Sequence, residues 1–442
     1  MVQATYHFPH GFLWGTATSS HQVEGNNVNN NWWKWEQEPG HIRDGSKSGL
    51  ACDWWGGRWR EDFDRASDAG QNAHRLSIEW SRVQPAPDRW NEEALDRYLD
   101  MMRGLYERKM IPVVTLHHFT NPLWLEEIGG WENEKTVDLF AVYAGKVVDA
   151  LGNYASSWVT INEPNVLIAS AYLTDAWPPG KSSLNSAVRV MTNLVRAHAA
   201  AYHTIHRMQP HARVGMAIHY RPFRPQRSWS PFDRAAASLY SQVFNDFFPN
   251  ALRSGYLRFP VWVCRIPEAK GTQDYLGINY YTGDHVSLNL INVRQKIEAP
   301  AFPPGSDISP TGMIANEPQG IFDAVKWGLK YGVPMVITEN GVEDAEDHLR
   351  PRYLAQHLHY LWKAVNFNYP VTGYFHWTLV DNFEWERGWT QRFGLWELNI
   401  ESQMRRKRPS ADLYAEICRE NGISSEMVAQ YAPEILSIMF PE

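Results

Sequence analysis

The stretch MVITENG, from Met335 to Gly341, and the stretch SWVTINEP, from Ser157 to Pro164, share one design. Each is a short apolar run rich in β-branched residues, which favours a buried strand, and each is followed at once by a glutamate. Six more apolar runs occur along the chain, with amphipathic stretches between them. Alternation of this kind predicts βα units built around a parallel sheet.

The eight predicted strands extend over most of the chain. They are Phe12–Ala17, His74–Glu79, Ile111–Leu116, Ser157–Ile161, Arg213–Ile218, Tyr275–Asn279, Met335–Thr338 and Val371–Phe375. Helical periodicity lies between them, for example after Asn91, a good N-cap residue, and after Pro351, which suits a first helical position. Eight alternations favour an α/β fold of the closed (β/α)8 barrel type, with the doubly wound open sheet as the rival.

The chain of 442 residues reads as one large domain. Length alone allows roughly two or three domains, but no linker, repeat or low-complexity tract divides the sequence. We expect the barrel to span residues 1–422 and residues 423–442 to form an extension. Apolar residues recur every fourth position from Met427 to Met439, which predicts a helix packed on the barrel or on a second subunit. The Pro- and Gly-rich segment 282–318 predicts a long loop after the sixth strand.

The composition excludes several classes of function. The net charge is −7, from 42 basic and 49 acidic residues, so the chain is not built to neutralise nucleic-acid phosphate or anionic lipid. The sequence has neither an apolar run of about 18 residues nor an N-terminus of the signal-peptide type. We therefore expect a cytoplasmic protein with no nucleic-acid or membrane partner. The three separated cysteines, Cys52, Cys264 and Cys418, predict free thiols.

Tryptophan is the compositional outlier, at 21 residues of 442. Core packing alone rarely uses so many, because an indole is too large to be fully buried with ease. An indole combines a flat apolar face with an N–H donor, which suits the C–H patches and hydroxyls of a sugar ring. The tryptophan content therefore favours carbohydrate binding, with additional core aromatics as the alternative.

Polar residues at the ends of strands are the candidates for chemistry, because barrel enzymes place their active sites there. Glu163 and Glu339 follow the fourth and seventh strands, which face each other across the mouth of an eight-stranded ring. Two carboxylates across a sugar-sized cleft suit glycosidic bond cleavage, with one as proton donor and one to attack or stabilise the anomeric carbon. Taken singly, each could instead cap a helix or lie on a surface loop.

Arg75 and the adjacent pair His117 and His118 are basic residues of the predicted barrel whose positions need an explanation. Arg75 lies inside the second strand, where a barrel interior is normally apolar, so its charge requires a buried partner. We predict Glu339 as that partner, the alternative being an outward Arg75 paired with a helix acid. His117 and His118 follow the third strand, but adjacent residues on a strand point to opposite faces, which disfavours a shared metal ion.

The segment WTLVDNFEWERGWTQRFGL, from Trp377 to Leu395, interleaves Trp, Glu and Phe. Glu384 can accept hydrogen bonds from neighbouring sugar hydroxyls, while Trp377 and Trp385 supply ring faces. The segment therefore predicts a sugar-recognition loop, and a tightly packed loop corner is the alternative.

Several motifs, in order, resemble glycoside hydrolase family 1, the β-glucosidase family. They extend from Phe8 to about Gly422 and read FLWGTATSSHQVEG, HRLSIEWSR, LHHFT, TINEP, GINYY, ITENG and HWTLVDNFEW with RFGL. The resemblance implies a (β/α)8 barrel with Glu163 as acid/base and Glu339 as nucleophile. It implies support for these carboxyls from Arg75, Asn279 and Tyr281. It implies sugar binding by Gln22, His118, Asn162, Trp377, Glu384, Trp385 and Phe393, and it assigns no role to Phe119.

The activity implied by the resemblance is that of a retaining exo-β-glycosidase without metal or organic cofactor. Such an enzyme releases a terminal β-D-glucosyl, galactosyl or fucosyl unit from small glycosides or oligosaccharides, and it could form a homo-oligomer. Its double displacement requires two carboxyl groups about 5 to 5.5 Å apart. We expect Arg75 and Tyr281 to keep Glu339 ionised, and burial to raise the pKa of Glu163. The alternatives are a transglycosylase of the same family, a non-catalytic sugar-binding barrel and a metal-dependent hydrolase that uses His117 and His118.

Some positions discriminate within the family. Residue 163 is Glu, not the Gln of members that cleave thioglucosides, so a proton donor is present. The pair Glu384-Trp385 differs from the Ser-and-Lys pattern of members that bind 6-phosphosugars, and a carboxylate there would repel a phosphate. The segment SPTGMIANEPQG, from Ser309 to Gly320, lacks the Trp-Glu pair common before the Pro-x-Gly. The leaving-group side of the cleft should therefore differ from that of many members.

Overall fold

The structure is a computed structural model that describes residues 3–259, 262–287 and 301–441. Eight parallel strands form a closed barrel in which each strand is hydrogen bonded to the next and the eighth to the first. They are β1 (Leu13–Ala17), β2 (Ala73–Ser77), β3 (Ile111–His117), β4 (Ser157–Asn162), β5 (Arg213–His219), β6 (Tyr275–Asn279), β7 (Met335–Asn340) and β8 (Val371–His376). The predicted (β/α)8 barrel is confirmed, and the predicted strand ends differ from the observed ends by at most two residues.

Helices surround the barrel and connect its strands. The α-helices are Ser20–Val23, Asn31–Trp35, Trp59–Asp68, Trp80–Val83, Glu92–Glu107, Leu123–Glu127, Lys135–Leu151, Pro164–Ile168, Leu184–Met208, Pro231–Ser241, Phe247–Ser254, Gln319–Gly328, Arg350–Asn366, Pro409–Glu420, Ser425–Tyr431 and Leu436–Met439. Single turns of 3-10 helix occur at Gly130–Glu132, Pro267–Ala269, Leu329–Tyr331, Trp385–Arg387 and Pro433–Ile435, and turns of π-helix at Ala169–Leu173 and Gln242–Asp246. As predicted, Asn91 caps the helix Glu92–Glu107: its side chain accepts a hydrogen bond of 3.2 Å from the Ala94 amide. Within the described part of the chain, no helix is long and apolar enough to span a membrane.

Short strands outside the barrel form four two-stranded pairs. The antiparallel pairs are Thr5–His7 with Gly422–Ser424, Tyr256–Phe259 with Trp262–Arg265, and Trp396–Leu398 with Arg405–Lys407. Asp284–Val286 runs parallel to Phe223–Pro225, so the predicted long loop after β6 begins with a short strand. Residues 288–300 of that loop lie outside the described residues, and residues 301–318 have irregular backbone.

Each barrel strand contributes one buried residue to a shared apolar cluster in the barrel. In strand order they are Ala17, Ala73, Val113, Val159, Ala217, Tyr275, Val336 and Phe375. Arg75 lies two residues beyond Ala73 on β2 and therefore shares its face of the strand, which is why a fully buried guanidinium sits inside the barrel. This position brings a fixed positive charge beneath the carboxyl ends of the strands.

The chain beyond the last large helix folds back onto the rest of the molecule. The regular apolar spacing predicted one helix, but the structure has two short ones, Ser425–Tyr431 and Leu436–Met439. Pro433 lies between them and interrupts the helix because proline lacks a backbone N–H donor. The Phe440 ring stacks on Tyr6, 4.6 Å away between ring centroids, so this segment contacts the N-terminal strand of the same chain.

Candidate active site

A pocket of about 980 Å³, measured out to its open mouth, lies at the carboxyl ends of the barrel strands. Of the site residues predicted from the sequence, those that line it are His118, Asn162, Glu163, Tyr281, Glu339, Trp377, Glu384, Trp385 and Phe393. Three other predicted residues, Gln22, Arg75 and Asn279, are fully buried directly behind this surface and contact the residues that line it. The fold thus brings the whole predicted set together.

Arg75 organises the base of the pocket. Its Nη1 donates to Glu339 Oε1 at 2.5 Å and its Nη2 donates to Asn162 Oδ1 at 2.6 Å. Its Nε donates to Thr115 Oγ1 at 3.1 Å, so each of its nitrogens has a partner. The predicted pairing of Arg75 with Glu339 is confirmed. Because both side chains of this pair are buried, removal of one partner would leave the other largely uncompensated.

Glu339 accepts hydrogen bonds from two donors, one on β2 and one just after β6. Besides Arg75 on β2, Tyr281 beyond β6 donates its hydroxyl to Glu339 Oε2 at 2.7 Å. The two oxygens are therefore fixed separately, and the glutamate side chain is only 5% exposed. A carboxyl fixed in this way can present one oxygen to an electrophile without reorganising, as nucleophilic attack requires.

Glu163 is held differently from Glu339. Its backbone has φ 41°, in the left-handed region that a non-glycine residue rarely adopts, and Pro164 opens the next helix. Its Oε1 accepts a hydrogen bond of 2.8 Å from Asn279 Nδ2 and lies 3.0 Å from His219 Nδ1. Asn279 also donates to Asn162 Oδ1 at 3.1 Å, which links Glu163 to the Arg75 network.

The two carboxyls differ in pKa, and the order differs from the one predicted. Burial raises the pKa of Glu339 to about 7, although Arg75 and the Tyr281 hydroxyl lower it and the charge of Glu163 raises it. Burial also raises the pKa of Glu163, but His219 and Asn279 lower it by more, so the net pKa lies below the usual range. The prediction for the empty pocket was therefore wrong, because the sequence argument did not include His219.

Aromatic rings form one wall of the pocket. His118 stacks on Trp377 and on Trp385, with centroids 6.0 Å apart in both pairs. Burial, with the charge of Arg75, lowers the pKa of His118 well below its usual value, so the imidazole is neutral. Asn162 Nδ2 lies 3.1 Å from His118 Nε2, and this contact orients both side chains. Five other tryptophans are fully buried in the core, namely Trp14, Trp32, Trp80, Trp131 and Trp158, so additional core aromatics account for part of the tryptophan content.

Glu384 is a half-buried third carboxyl that lines the pocket. Gln22 Nε2 donates to its Oε2 at 3.1 Å and to the Phe383 carbonyl at 2.8 Å. Burial, with the charges of Glu386 and Glu339, raises the pKa of Glu384 to about 8. A carboxyl that titrates near neutrality can both donate and accept hydrogen bonds, which suits the recognition of sugar hydroxyls.

Several residues of the pocket were not identified from the sequence. They are Phe119, Val166, Ala169, Ser170, Trp177, His219, Arg221, Phe244, Thr282, Met313, Ile314, Glu386 and Arg387. His219 ends β5, so the rule that selected Glu163 and Glu339, a polar residue after an apolar run, also points to it. Phe244 and Met313 belong to long connections whose path the sequence pattern did not predict.

His117 ends β3 and His118 follows it, and the two side chains do not point towards a common site. His117 Nε2 contacts Asn121 Oδ1 at 3.0 Å, whereas His118 turns towards Asn162 and the pocket. Across residues 3–259, 262–287 and 301–441, no group of three or more His, Cys, Asp or Glu side chains is arranged to hold a metal ion.

A (β/α)8 barrel with two buried carboxyls in one aromatic-lined pocket is an arrangement typical of glycosidases. The sequence profile described as glycosyl hydrolase family 1 matches residues 4–423, and the chain belongs to this family. It is a retaining β-glycosidase.

Similar proteins cover almost the full chain. Beta-glucosidase A of Thermotoga maritima is 31% identical over 94% of this chain and 98% of that protein. A beta-galactosidase of Pyrococcus woesei is 31% identical over 95% of this chain and 98% of that protein. The solved structure of a beta-glycosidase from Pyrococcus horikoshii has a TM-score of 0.89 at 37% identity, and the match covers 97% of this chain and 98% of that chain.

Proposed function

We propose that this enzyme removes terminal β-D-glucosyl, galactosyl or fucosyl residues, with Glu339 as nucleophile and Glu163 as acid/base. The observation that carries the assignment is the unequal environment of the two buried carboxyls. Glu339 is fixed by a cation and a phenol, whereas Glu163 is bonded to an amide and an imidazole. A nucleophile must remain an anion beside a developing positive charge, while an acid/base must gain and lose a proton.

In the first step, a carboxylate oxygen of Glu339 attacks the anomeric carbon and the bond to the leaving oxygen breaks. Glu163 must carry a proton in the substrate complex, although His219 and Asn279 lower its pKa in the empty pocket. It gives this proton to the leaving oxygen, so the aglycone leaves as a neutral alcohol. The Glu339 anion stabilises the positive charge that develops on the sugar ring in the transition state, and Arg75 and the Tyr281 hydroxyl favour this anion against the effect of burial on its pKa. Arg75 supports the anion throughout this step.

In the second step, a water molecule occupies the position that the aglycone has left. Glu163, now a carboxylate, takes a proton from this water, whose oxygen attacks the anomeric carbon and displaces Glu339. The lowered pKa of Glu163 in the free pocket favours its carboxylate form and therefore suits this base role. Two inversions at one carbon return the β configuration.

The sugar ring is proposed to lie between Glu384 and the catalytic pair. Glu384 and Gln22 would bond two neighbouring hydroxyls, and His118 with Asn162 would bond those nearer the anomeric carbon. Trp377 and Trp385 would contact the ring faces, and Phe393 packs edge-on against Tyr281, 6.1 Å between centroids. The names of the similar proteins, beta-glucosidase and beta-galactosidase, support acceptance of either configuration at the sugar C4 position.

The leaving group is proposed to occupy the other half of the pocket. This half is lined by apolar and aromatic side chains from different connections, including Val166, Phe244, Met313 and Ile314. We also propose that the enzyme acts in the cytoplasm, because the buried thiols of Cys52 and Cys418 are free and suit a reducing compartment. Fractionation of cells, with the activity measured in each fraction, tests this location.

Two variants test the assignment of the carboxyls. Glu339→Gly should abolish hydrolysis but allow transfer from an α-glycosyl fluoride to an acceptor sugar, because Glu163 and the pocket remain. Glu163→Ala should retain kcat/KM on 2,4-dinitrophenyl glycosides and lose about 100- to 10,000-fold on alkyl glycosides, because only the poor leaving group needs a proton. Azide should restore turnover of Glu163→Ala as the β-glycosyl azide. Rescue of Glu339→Gly as the α-azide, with no rescue of Glu163→Ala, would require the two roles to be exchanged.

The ratio of hydrolysis to transfer tests the transglycosylase alternative. Wild-type enzyme is incubated with a nitrophenyl glucoside and a range of alcohols at low concentration, and the released sugar is compared with the released phenol. Equal amounts indicate hydrolysis, whereas a deficit of free sugar indicates transfer to the alcohol.

A further inference from the structure

His219 is the last residue of β5 and its imidazole faces Glu163. Nδ1 lies 3.0 Å from Glu163 Oε1, which Asn279 Nδ2 also contacts at 2.8 Å. Both contacts are therefore made to the same oxygen. Among the described residues, Glu163 Oε2 receives no such contact, which leaves it available to the pocket.

The imidazole is held in place on each of its sides. Its ring stacks on Tyr281, with centroids 5.7 Å apart and an interplanar angle of 21°, and the edge of Phe244 packs against it at 5.9 Å. Its backbone carbonyl accepts a hydrogen bond of 2.8 Å from Asn165 Nδ2, on the helix that follows Glu163. His219 is 8% exposed, so its ring cannot turn away without breaking these contacts.

Glu163 is the acidic group that the imidazole contacts. Within the described residues, His219 Nε2 is buried and has no hydrogen-bond partner, so no second carboxylate competes for the ring. The titratable and charged groups that face this corner from the surrounding elements are Glu163, Tyr281, Glu339, Arg75 and Arg221. Nothing in the proposed double displacement uses His219.

We propose that His219 is a positioning residue for the acid/base: Nδ1–H holds Glu163 by Oε1 and turns Oε2 towards the leaving group. This inference rests on the proposed role of Glu163.

Three substitutions separate these functions. Asparagine places an amide nitrogen at the position of Nδ1, so His219→Asn keeps the donor to Glu163 and removes the imidazole ring. Glutamine places its amide at the position of Nε2, so His219→Gln removes the donor from Oε1. His219→Leu has no donor at either position, and it controls for the volume of the side chain.

The readout is kcat/KM against pH for an alkyl glucoside, whose departure needs a proton, and for 2,4-dinitrophenyl glucoside, whose departure does not. His219→Gln and His219→Leu should lose about 10- to 100-fold on the alkyl glucoside and less than about threefold on the dinitrophenyl glucoside. His219→Asn should remain within about threefold of wild type at its optimum. Such rescue by asparagine would show that the donor at the position of Nδ1, and not the ring itself, positions Glu163.

Equal losses on both substrates in His219→Leu, or a loss in His219→Asn as large as that in His219→Leu, would overturn the inference. Retained kcat/KM on the dinitrophenyl glucoside shows that a variant is folded. Glu163→Ala is measured beside the three variants. If Glu163→Ala spares the alkyl glucoside, the acid/base assignment itself is wrong. If Glu163→Ala behaves as expected and the His219 variants affect the alkyl and dinitrophenyl glucosides equally, only the role of His219 is rejected.

Discussion

Arg75 contacts Glu339 at 2.5 Å from a strand that lies three places away around the barrel, since β2 and β7 are separated by β1 and β8. The same guanidinium contacts Asn162 on β4, the residue before Glu163. One side chain therefore spans the barrel interior and links Glu339 to the neighbour of Glu163. A planar group with five donors can make these contacts at once, whereas an ammonium group cannot. The geometry of the site therefore depends on a residue that does not itself line the pocket.

Arg75→Lys should keep a positive charge but lose the fork that bonds Glu339, Asn162 and Thr115 together. We expect kcat/KM to fall by about 100-fold or more, since the nucleophile loses its position, and the free energy of unfolding to fall by about 3 kcal/mol. Chemical denaturation and steady-state kinetics measure both. Arg97→Lys, at an exposed pair with Glu93, is the matched control and should change neither. An active, fully stable Arg75→Lys would show that the charge alone suffices.

The first product should be the β-anomer of the sugar. Attack by Glu339 followed by attack of water inverts the anomeric carbon twice, so the configuration is retained. Proton NMR during the first minutes of hydrolysis, before mutarotation, identifies the anomer. An α-anomer at this stage would mean that water attacks directly and that Glu339 acts as a base.

Stability should fall as pH rises through the titration of Glu384. Its pKa is about 8 in the folded protein, above the value of about 4.3 for an unfolded chain, so the folded state binds the proton more tightly. This contribution is fully present below about pH 4 and is lost as pH rises to about 8. Glu384→Gln should therefore be more stable than wild type at pH 8, and the difference should shrink towards pH 5.

Thermal unfolding at a series of pH values measures this difference. Each unit of pKa difference corresponds to about 1.4 kcal/mol, so a shift in Tm should be detectable. The exposed Glu107 offers a control, because Glu107→Gln should leave the pH dependence of Tm unchanged. A Glu384→Gln curve parallel to that of the wild type would contradict the raised pKa.

A phosphate on the sugar C6 position should weaken binding. The phosphate would enter a desolvated region beside Glu384 and Glu386, where negative charges already raise the pKa of Glu384. We expect kcat/KM for a nitrophenyl 6-phospho-β-glucoside to be at least about 100-fold below that for the plain glucoside. Faster cleavage of the phosphorylated substrate would mean that this loop has been misinterpreted.

The sequence by itself determined the barrel and its two central carboxyls. Each strand carries its own signal, an apolar run such as that from Met335 to Thr338, and a polar residue directly after such a run must lie at the carboxyl end of the barrel. Glu163 and Glu339 were identified in this way, and Arg75 was recognised as a charge that needs a buried partner. These features are local in the chain, so a local pattern predicts them.

The tertiary structure alone decided which side chains touch. His219 lies 56 residues from Glu163 along the chain, and their contact depends on the register between β4 and β5 and on the packing of His219 against Tyr281. That contact lowers the pKa of Glu163, which burial alone would raise. A pKa depends on burial and on the charges within a few ångströms, and the periodicity of a sequence contains neither quantity.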